Sequence, residues 1–208
     1  SYWLVGGDGW AYDIGYNGID HVLVSRENVN ILVLDTEVYS NTGGQSSKSS
    51  HLGQVCEFAS GGKKTSKKDL FKIAMSYPNI YVGSISLGGN FMQAIKTIKE
   101  AEEHDGPSII IAYCPCIEQG IKGGMSNSIK EEALAVDSGY VLLMRYKDNK
   151  LYLDSKEPNF DKYDEFLSNE VRYNALKIKD IKKANELLAI NKEIAVQRYN
   201  YYKEISNK

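Results

Sequence analysis

The sequence predicts an α/β fold in which a mostly parallel sheet carries helices on both faces. Apolar runs of strand length, at residues 2–5, 29–34, 80–86 and 108–113, alternate with segments of helical periodicity. Parallel strands need such crossover segments, and the crossovers cover both faces of the sheet. The first two strands each end in a polar, glycine-containing loop. Because parallel strands end at one edge, these loops are expected to meet where ligands bind in open α/β folds.

Composition excludes several classes of function. The chain has 208 residues, 42% hydrophobic and 25% charged, with a formal net charge of −2. This charge gives no support for nucleic acid or an anionic membrane as the main partner. No apolar run reaches 18 residues and the N-terminus lacks a secretory pattern, so we expect a cytoplasmic protein. Since the first residues already form a strand, we also expect a piece of a longer polypeptide.

The first strand runs into Gly6-Gly7-Asp8-Gly9. Glycines here would let the backbone approach a ligand closely, and Asp8 offers a hard anionic oxygen suited to Mg²⁺. Taken alone, this pattern is equally compatible with a tight strand-to-helix turn. Residues 11–25 follow and are compatible with a helix, although two glycines weaken its propensity.

The second strand ends at Asp35 and Thr36, and a polar loop follows it. Thr36 lies 28 positions after Asp8, about what one helix and one strand need to return to the same edge. The Thr36 hydroxyl, a backbone carbonyl near Val38 and the Asn41 side chain could complete an oxygen-only site. Diphosphate oxygens would then fill the remaining octahedral positions around Mg²⁺.

Residues 46–68 are polar and rich in Ser, Gly and Lys. We predict a solvated surface loop around a short helix containing a buried Cys56, with His51 as an exposed loop histidine. The alternative is a mobile basic surface near phosphates or an acidic electron carrier. Lys48 lies nearest the proposed site and receives no role.

The middle of the chain continues the alternation of strands and helices. A short helix within residues 69–77 precedes the strand at 80–86, and Asn90 is a plausible N-cap for a helix over 91–104. Its apolar face would comprise Ala94, Ile95, Ile98 and Ala101. A β-hairpin is then expected to complete the sheet, with one strand at 139–146, a turn, and a second strand at 151–154.

The C-terminal pattern is helical from residue 161 onward. We divide the chain into an α/β domain, residues 1–154, and a helical segment, residues 155–208, packed on it. Tyr199, Tyr201 and Tyr202 more often mark a core or subunit contact than a base-stacking surface.

Two cysteines follow the strand at 108–113 as Cys114-Pro115-Cys116. They are too few to hold zinc or an iron–sulfur cluster alone, since four thiolates are usual. Spacing alone favours two buried thiols over metal ligands.

The chain contains GDGWAYDIGY at residues 7–16 and LDTEVYSNTGGQSSK at residues 34–48. Together these stretches resemble the bipartite thiamine-diphosphate motif and, more closely, the pyruvate:ferredoxin oxidoreductase family near its C-terminus. The similarity continues through residues 62–70 and 109–120 and covers most of the first 150 residues.

This resemblance implies a cofactor site at the sheet edge. It assigns Mg²⁺ and the diphosphate to Asp8, Thr36, the Val38 carbonyl and Asn41, and it allows Asn41 to reach the substrate. It also gives Cys116 as one ligand of a [4Fe–4S] cluster, whereas Cys114 has no match. The full implied cofactor-binding set is Gly7, Asp8, Gly9, Trp10, Thr36, Glu37, Val38, Tyr39, Ser40 and Asn41.

The resemblance further implies oxidative decarboxylation of pyruvate with coenzyme A to acetyl-CoA and CO₂ in anaerobic metabolism. Electrons would leave through iron–sulfur clusters to ferredoxin or flavodoxin. The remaining domains of the same enzyme, expected to be a homodimer, would supply the other cluster cysteines and the glutamate that activates the cofactor. We therefore expect the isolated piece to be inactive. Alternatives are another 2-oxoacid:ferredoxin oxidoreductase and a non-catalytic magnesium–phosphate-binding α/β module.

Overall fold

A computed structural model describes residues 1–207, which contain six strands in one sheet and seven α-helices. The strands are β1 (Tyr2–Gly7), β2 (Val29–Asp35), β3 (Tyr81–Ile85), β4 (Ser108–Tyr113), β5 (Met144–Lys147) and β6 (Lys150–Leu153). The helices are α1 (Tyr16–Ser25), α2 (Leu70–Ala74), α3 (Phe91–Glu103), α4 (Ser128–Asp137), α5 (Tyr163–Asn169), α6 (Val171–Lys179) and α7 (Ile181–Ser206). A π-helical turn, Trp10–Ile14, joins β1 to α1.

The sheet has the strand order β1-β2-β4-β3-β5-β6. The first four strands are mutually parallel, and β5 and β6 are antiparallel additions. Gly7 is paired with Leu34, and Asp35 with Tyr113, so the carboxyl ends of β1, β2 and β4 share one edge. The predicted mostly parallel α/β fold is confirmed.

Helices cover both faces of the sheet. On one face, Ile31, Ile109 and other inward side chains pack with residues of α1, α2 and α7, including Tyr202. On the opposite face, Ile110 packs with Ala94 of α3. The alternation of neighbouring residues between two clusters follows from the two-residue period of a strand. A third cluster lies among the C-terminal helices and the end of β4.

The predicted apolar face of α3 is partly wrong. Asn90 caps the helix as expected, accepting a hydrogen bond of 3.0 Å from the Gln93 amide. However, Ile95 and Ile98 are each 36% exposed, whereas Thr97 is fully buried. The reason is close packing at Gly83, where a Cβ would lie 2.4 Å from Thr97 Cγ2. The small pair lets α3 approach β3 and turns the isoleucines outward.

The prediction of a solvated loop around a short helix over residues 46–68 is partly wrong, although the segment is a loop and its residues 57, 58, 60 and 64–66 are exposed. No helix occurs there, and Cys56 lies in an isolated bridge with Ala59. Several side chains of the segment are interior, since Ser49, Ser50 and Gln54 are fully buried. Cys56 is buried, as predicted. Polar side chains can be interior here because they hydrogen-bond to Asp35 at the end of β2 and to the Glu37 carbonyl in the loop that follows.

The predicted strand over residues 139–146 is shorter in the structure. Gly139 has a φ of 78°, and the Val141 amide donates a hydrogen bond of 2.9 Å to the Ala135 carbonyl. Residues 139–143 therefore wind back against α4, and β5 starts only at Met144. The hairpin is confirmed, since β5 and β6 are paired and Asp148 has the positive φ of a tight turn. No helix within residues 1–207 is long and apolar enough to cross a membrane.

Candidate functional site

Asp8 lies immediately after β1 and is 1% exposed. Its Oδ1 accepts a hydrogen bond of 2.8 Å from the Thr36 hydroxyl, and its Oδ2 accepts one of 2.5 Å from the Ser47 hydroxyl. Thr36 is within reach because the pairing of Gly7 with Leu34 brings the ends of β1 and β2 together. The strand ends predicted to meet do so.

The Thr36 hydroxyl is the centre of an oxygen cluster. It lies 3.1 Å from the Val38 carbonyl oxygen and 2.9 Å from the Ser40 hydroxyl, in addition to Asp8. We call Asp8, Thr36 and the Val38 carbonyl the oxygen cluster. One carboxylate with neutral oxygens is a donor set that suits Mg²⁺, which keeps further positions for phosphate and water.

The surroundings of Asp8 favour a cation. Burial, followed by the negative charge of Asp35, raises the pKa of Asp8 to about 7. Hydrogen bonds from Ser47 and Thr36 and the charge of Lys67 oppose this rise without cancelling it. A bound cation would offset the cost of burying the carboxylate. Among residues 1–207 no group of three or more His, Cys, Asp or Glu side chains could hold a metal, so the oxygen cluster depends on its neutral oxygens. The residues present fit magnesium.

Glycines shape the loop after β1 in two different ways. A Cβ on Gly9 would lie 2.3 Å from the Tyr39 ring, and the Tyr39 hydroxyl donates a hydrogen bond of 3.3 Å to the Gly9 carbonyl. Gly6 is similarly covered by the Trp10 ring. A Cβ on Gly7, in contrast, would meet nothing within 4 Å, so this glycine leaves open space beside Asp8. Tyr39 and Trp10 thus serve packing of the loop in this structure.

Glu37 is directed away from the oxygen cluster. Its side chain is 1% exposed and lies 2.8 Å from Lys67 Nζ and 2.7 Å from Arg172 Nη1. The Tyr140 hydroxyl donates a further hydrogen bond of 2.7 Å to it. Burial alone would raise the pKa of Glu37, but the charges of Lys67 and Arg172 hold that pKa well below its usual range. The carboxylate is ionised and saturated with donors.

The prediction that His51 is an exposed loop residue is wrong. His51 is 7% exposed, its ring stacks on Tyr140 at a centroid distance of 4.5 Å, and its Nε2 lies 3.0 Å from Glu37 Oε1. Burial lowers the pKa of His51 to about 4, although Glu37 opposes this. The contact is therefore a hydrogen bond from a neutral imidazole and not an ion pair.

The structure does not bring Asn41 into the oxygen cluster. Asn41 is exposed, and no hydrogen bond within residues 1–207 joins it to Asp8 or Thr36. The neighbouring Thr42 instead contacts Gln45 in a local turn. Any contact of Asn41 with a ligand would be made from the solvent side of the loop.

Cys116 lies beside the loop that carries Thr36. Its thiol is half-buried and donates a hydrogen bond of 3.2 Å to Ser40 Oγ, which in turn is 2.9 Å from Thr36 Oγ1. Cys114 differs, because its thiol donates to the Ala112 carbonyl at 3.3 Å and burial raises its pKa to about 12. Only one of the two cysteines is thus connected to the predicted site.

Several residues that shape the site were missed by sequence reasoning. Ser47 binds Asp8 directly, and Lys67 lies 2.6 Å from Asp35 Oδ2. Both lie in a stretch whose polar composition suggested solvent. The resemblance over residues 62–70 was the only available signal for Lys67, and it did not specify a role.

A cavity of about 370 Å³ is separate from the oxygen cluster. Its lining includes Asp35, Glu37 and Lys67 as well as side chains of the sheet and of α7. Neither Asp8 nor Thr36 borders it. The cavity therefore borders the ends of β2 and β4 but not the oxygen cluster.

A parallel sheet whose strand ends form a glycine-containing edge with clustered oxygens defines the chain as an α/β ligand-binding domain. The match to a known family is more specific. The family model of the thiamine pyrophosphate enzyme C-terminal TPP binding domain matches residues 1–112, and the chain belongs to that family.

Sequence comparison supports the resemblance to the pyruvate:ferredoxin oxidoreductase family. The chain is 50% identical to pyruvate:ferredoxin oxidoreductase of Moorella thermoacetica and 47% identical to pyruvate-flavodoxin oxidoreductase of Klebsiella pneumoniae, each over 99% of the chain. It is 46% identical, again over 99%, to the mitochondrial pyruvate dehydrogenase [NADP(+)] of Euglena gracilis. The chain spans 18%, 18% and 12% of these relatives.

A solved structure shares the fold. The 2-oxoglutarate:ferredoxin oxidoreductase of Magnetococcus marinus, solved with 2-oxoglutarate, coenzyme A and succinyl-CoA bound, superposes with a TM-score of 0.52 at 22% identity. The match covers 85% of this chain and 66% of that one. This structure supports the fold alone, and the relatives described above confirm the resemblance to the family named from sequence.

Proposed function

We propose that this chain anchors the magnesium–diphosphate end of thiamine diphosphate in an enzyme that oxidises pyruvate. The reaction converts pyruvate and coenzyme A to acetyl-CoA, CO₂, one proton and two electrons. The electrons leave through iron–sulfur clusters to ferredoxin or flavodoxin. The proposal is supported by 50% and 47% identity to enzymes named for pyruvate and for these acceptors.

The observation that carries the proposal is the oxygen cluster. Asp8 contributes a buried carboxylate, and the Thr36 hydroxyl lies 2.8 Å from Asp8 Oδ1 and 3.1 Å from the Val38 carbonyl oxygen. Gly7 leaves space for phosphate oxygens next to Asp8. Asn41, on the exposed side of the same loop, is available to a substrate.

Each of these groups has a binding or positioning role. Asp8 and Thr36 hold the metal, and the close contact of Gly9 with Tyr39 keeps the loop after β1 against the loop after β2. Glu37 and Ser40 contribute to cofactor binding indirectly, through the backbone of the loop after β2 and the hydrogen bonds that fix this loop. Thiamine diphosphate, when bound, supplies the carbanion chemistry that decarboxylation of a 2-oxoacid requires.

Cys116 is proposed as one thiolate ligand of a [4Fe–4S] cluster. A cluster needs further thiolates, which the remaining domains of the same enzyme would provide. The hydrogen bond between Cys116 and Ser40 supports this assignment because it places the sulfur beside the oxygen cluster.

The wider organisation is part of the same proposal. Residues 1–154 would form the cofactor domain and residues 155–208 a helical segment packed on it, in a cytoplasmic homodimer. An assay of the complete enzyme tests the activity. Anaerobic reduction of a viologen dye should require pyruvate and coenzyme A, with ferredoxin, flavodoxin and NADP⁺ compared as acceptors.

The alternatives give different results in that assay. A preference for 2-oxoglutarate or another 2-oxoacid would identify a different oxidoreductase of this class. Absence of activity with every 2-oxoacid, together with an iron-free protein, would favour the non-catalytic magnesium–phosphate module. Pyruvate-dependent reduction by an iron-containing protein is the result that we expect.

A further inference from the structure

Glu37 lies between two proposed magnesium ligands, Thr36 and Val38, in an unfavourable backbone conformation. Its φ is 61°, in the left-handed region that side chains other than glycine rarely adopt. Such a conformation persists only where the surroundings fix it. The direction in which Thr36 and Val38 present their oxygens therefore depends on what holds Glu37.

Arg172, in α6, holds Glu37 from the C-terminal segment. The two side chains are each 1% exposed, and Arg172 Nη1 lies 2.7 Å from Glu37 Oε2. Arg172 Nε lies 2.9 Å from Glu170 Oε2, so the guanidinium is itself fixed from a second side. Its planar fork can contact both carboxylates at once, which a lysine ammonium cannot do with the same geometry.

Arg172 also acts on the backbone of Glu37. Its Nη1 donates a hydrogen bond of 3.4 Å to Gln54 Oε1, and Gln54 Nε2 donates one of 2.9 Å to the Glu37 carbonyl. The Ser50 hydroxyl donates a second hydrogen bond, of 2.6 Å, to that carbonyl. The carboxylate and the carbonyl of Glu37 are thus both fixed by hydrogen bonds. Arg172 contacts the carboxylate directly and the carbonyl through Gln54.

The residue that does this lies outside the part of the chain that the family model matches. That match ends at residue 112. Tyr140, which donates to the same Glu37 oxygen, also lies beyond it. The C-terminal segment is therefore joined to the cofactor loop through buried charges as well as apolar packing.

We infer that Arg172 is a positioning residue for the magnesium–diphosphate site, acting through Glu37 on the Thr36 hydroxyl and the Val38 carbonyl. The inference rests on the proposed function, because it assigns Arg172 to that same site. Without the guanidinium, Glu37 loses a buried partner and the turn relaxes, which separates the oxygens from Asp8. Arg172 itself touches no reacting atom.

The test compares two buried arginines in the complete enzyme. Arg172→Met removes the contact with Glu37, and Arg145→Met is the matched control. Arg145 is also buried, with Nε 2.8 Å from Asp154 Oδ2 and Nη1 2.8 Å from Glu100 Oε2. None of its partners belongs to residues 36–41. Mg²⁺ is titrated calorimetrically at saturating thiamine diphosphate, below the melting temperature of both variants.

The expected result is a Kd for Mg²⁺ that rises about 10–100-fold in Arg172→Met, as for other residues that orient metal ligands, and stays within about twofold in Arg145→Met. At saturating Mg²⁺ and thiamine diphosphate, the kcat of Arg172→Met should change much less than its Kd for Mg²⁺. Equal Kd values in the two variants would overturn the inference. If Arg172→Met does not fold, Arg172→Lys against Arg145→Lys carries the same comparison. Failure of the unsubstituted enzyme to bind magnesium and thiamine diphosphate would instead overturn the proposed function.

Discussion

The Thr36 hydroxyl donates a hydrogen bond of 2.8 Å to Asp8 Oδ1 and so joins the ends of two parallel strands across 28 positions of sequence. The contact explains why the two glycine-containing loops act together. The loop after β1 offers a carboxylate and the loop after β2 offers a hydroxyl and a carbonyl, and the Thr36 hydroxyl lies within hydrogen-bonding distance of both other oxygens.

The two glycines that flank Asp8 should respond differently to alanine substitution. Gly9→Ala would place a methyl 2.3 Å from the Tyr39 ring and should lower the melting temperature, because overpacking costs typically about 1–3 kcal/mol. Gly7→Ala meets nothing within 4 Å and should leave the melting temperature unchanged. It should nevertheless weaken binding of thiamine diphosphate, because the methyl enters the proposed ligand space. Equal melting temperatures would contradict the packing assigned to Gly9.

His51 should make stability depend on pH. Burial lowers its pKa from 6.5 to about 4, so between these values the unfolded chain binds a proton that the folded chain does not. The free energy of unfolding should therefore fall as pH is lowered, by about 2 kcal/mol between pH 7 and pH 5.

His51→Gln keeps a hydrogen-bond donor but cannot titrate in this range. Urea unfolding at pH 7, 6 and 5 should show a shallower loss of stability for the variant than for the natural chain. Parallel pH dependences would show that His51 is not buried in the neutral form.

The two neighbouring cysteines should differ in their effect on iron content. Cys116→Ser in the complete enzyme should reduce bound iron and the cluster signal in electron paramagnetic resonance, because serine is a poor substitute for a thiolate. Cys114→Ser is the matched control, since burial keeps that thiol protonated. Equal iron contents in the two variants would remove the support for Cys116 as a ligand.

The sequence was sufficient to place the four parallel strands along the chain, because apolar runs and glycine loops are local features. It was insufficient for residues 46–68. Ser49 and Gln54 have the composition of a surface loop, and only the tertiary structure shows that they hydrogen-bond to Asp35 and Glu37. Their burial depends on partners 14 and 17 positions away, which composition cannot identify.

In the candidate site, too, some features could be predicted from the sequence and others could not. The proximity of Asp8 and Thr36 was predictable, since strand ends, glycines and spacing are local features. The direction of the Glu37 side chain was not predictable, because one of the groups that it contacts, the Arg172 guanidinium, lies 135 positions away. Asn41 was predicted from the motif to join the magnesium ligands, but the structure does not bring it into the oxygen cluster.

Binding of magnesium and thiamine diphosphate to the complete enzyme and to its Asp8→Asn variant tests the assignment of this site. The amide has the size of the carboxylate but lacks its charge, so it cannot replace the anionic ligand. Calorimetry should show saturable, Mg²⁺-dependent binding to the natural enzyme and no measurable binding to Asp8→Asn. Near-equal affinities in the two proteins would contradict the assignment of Asp8 as the magnesium ligand.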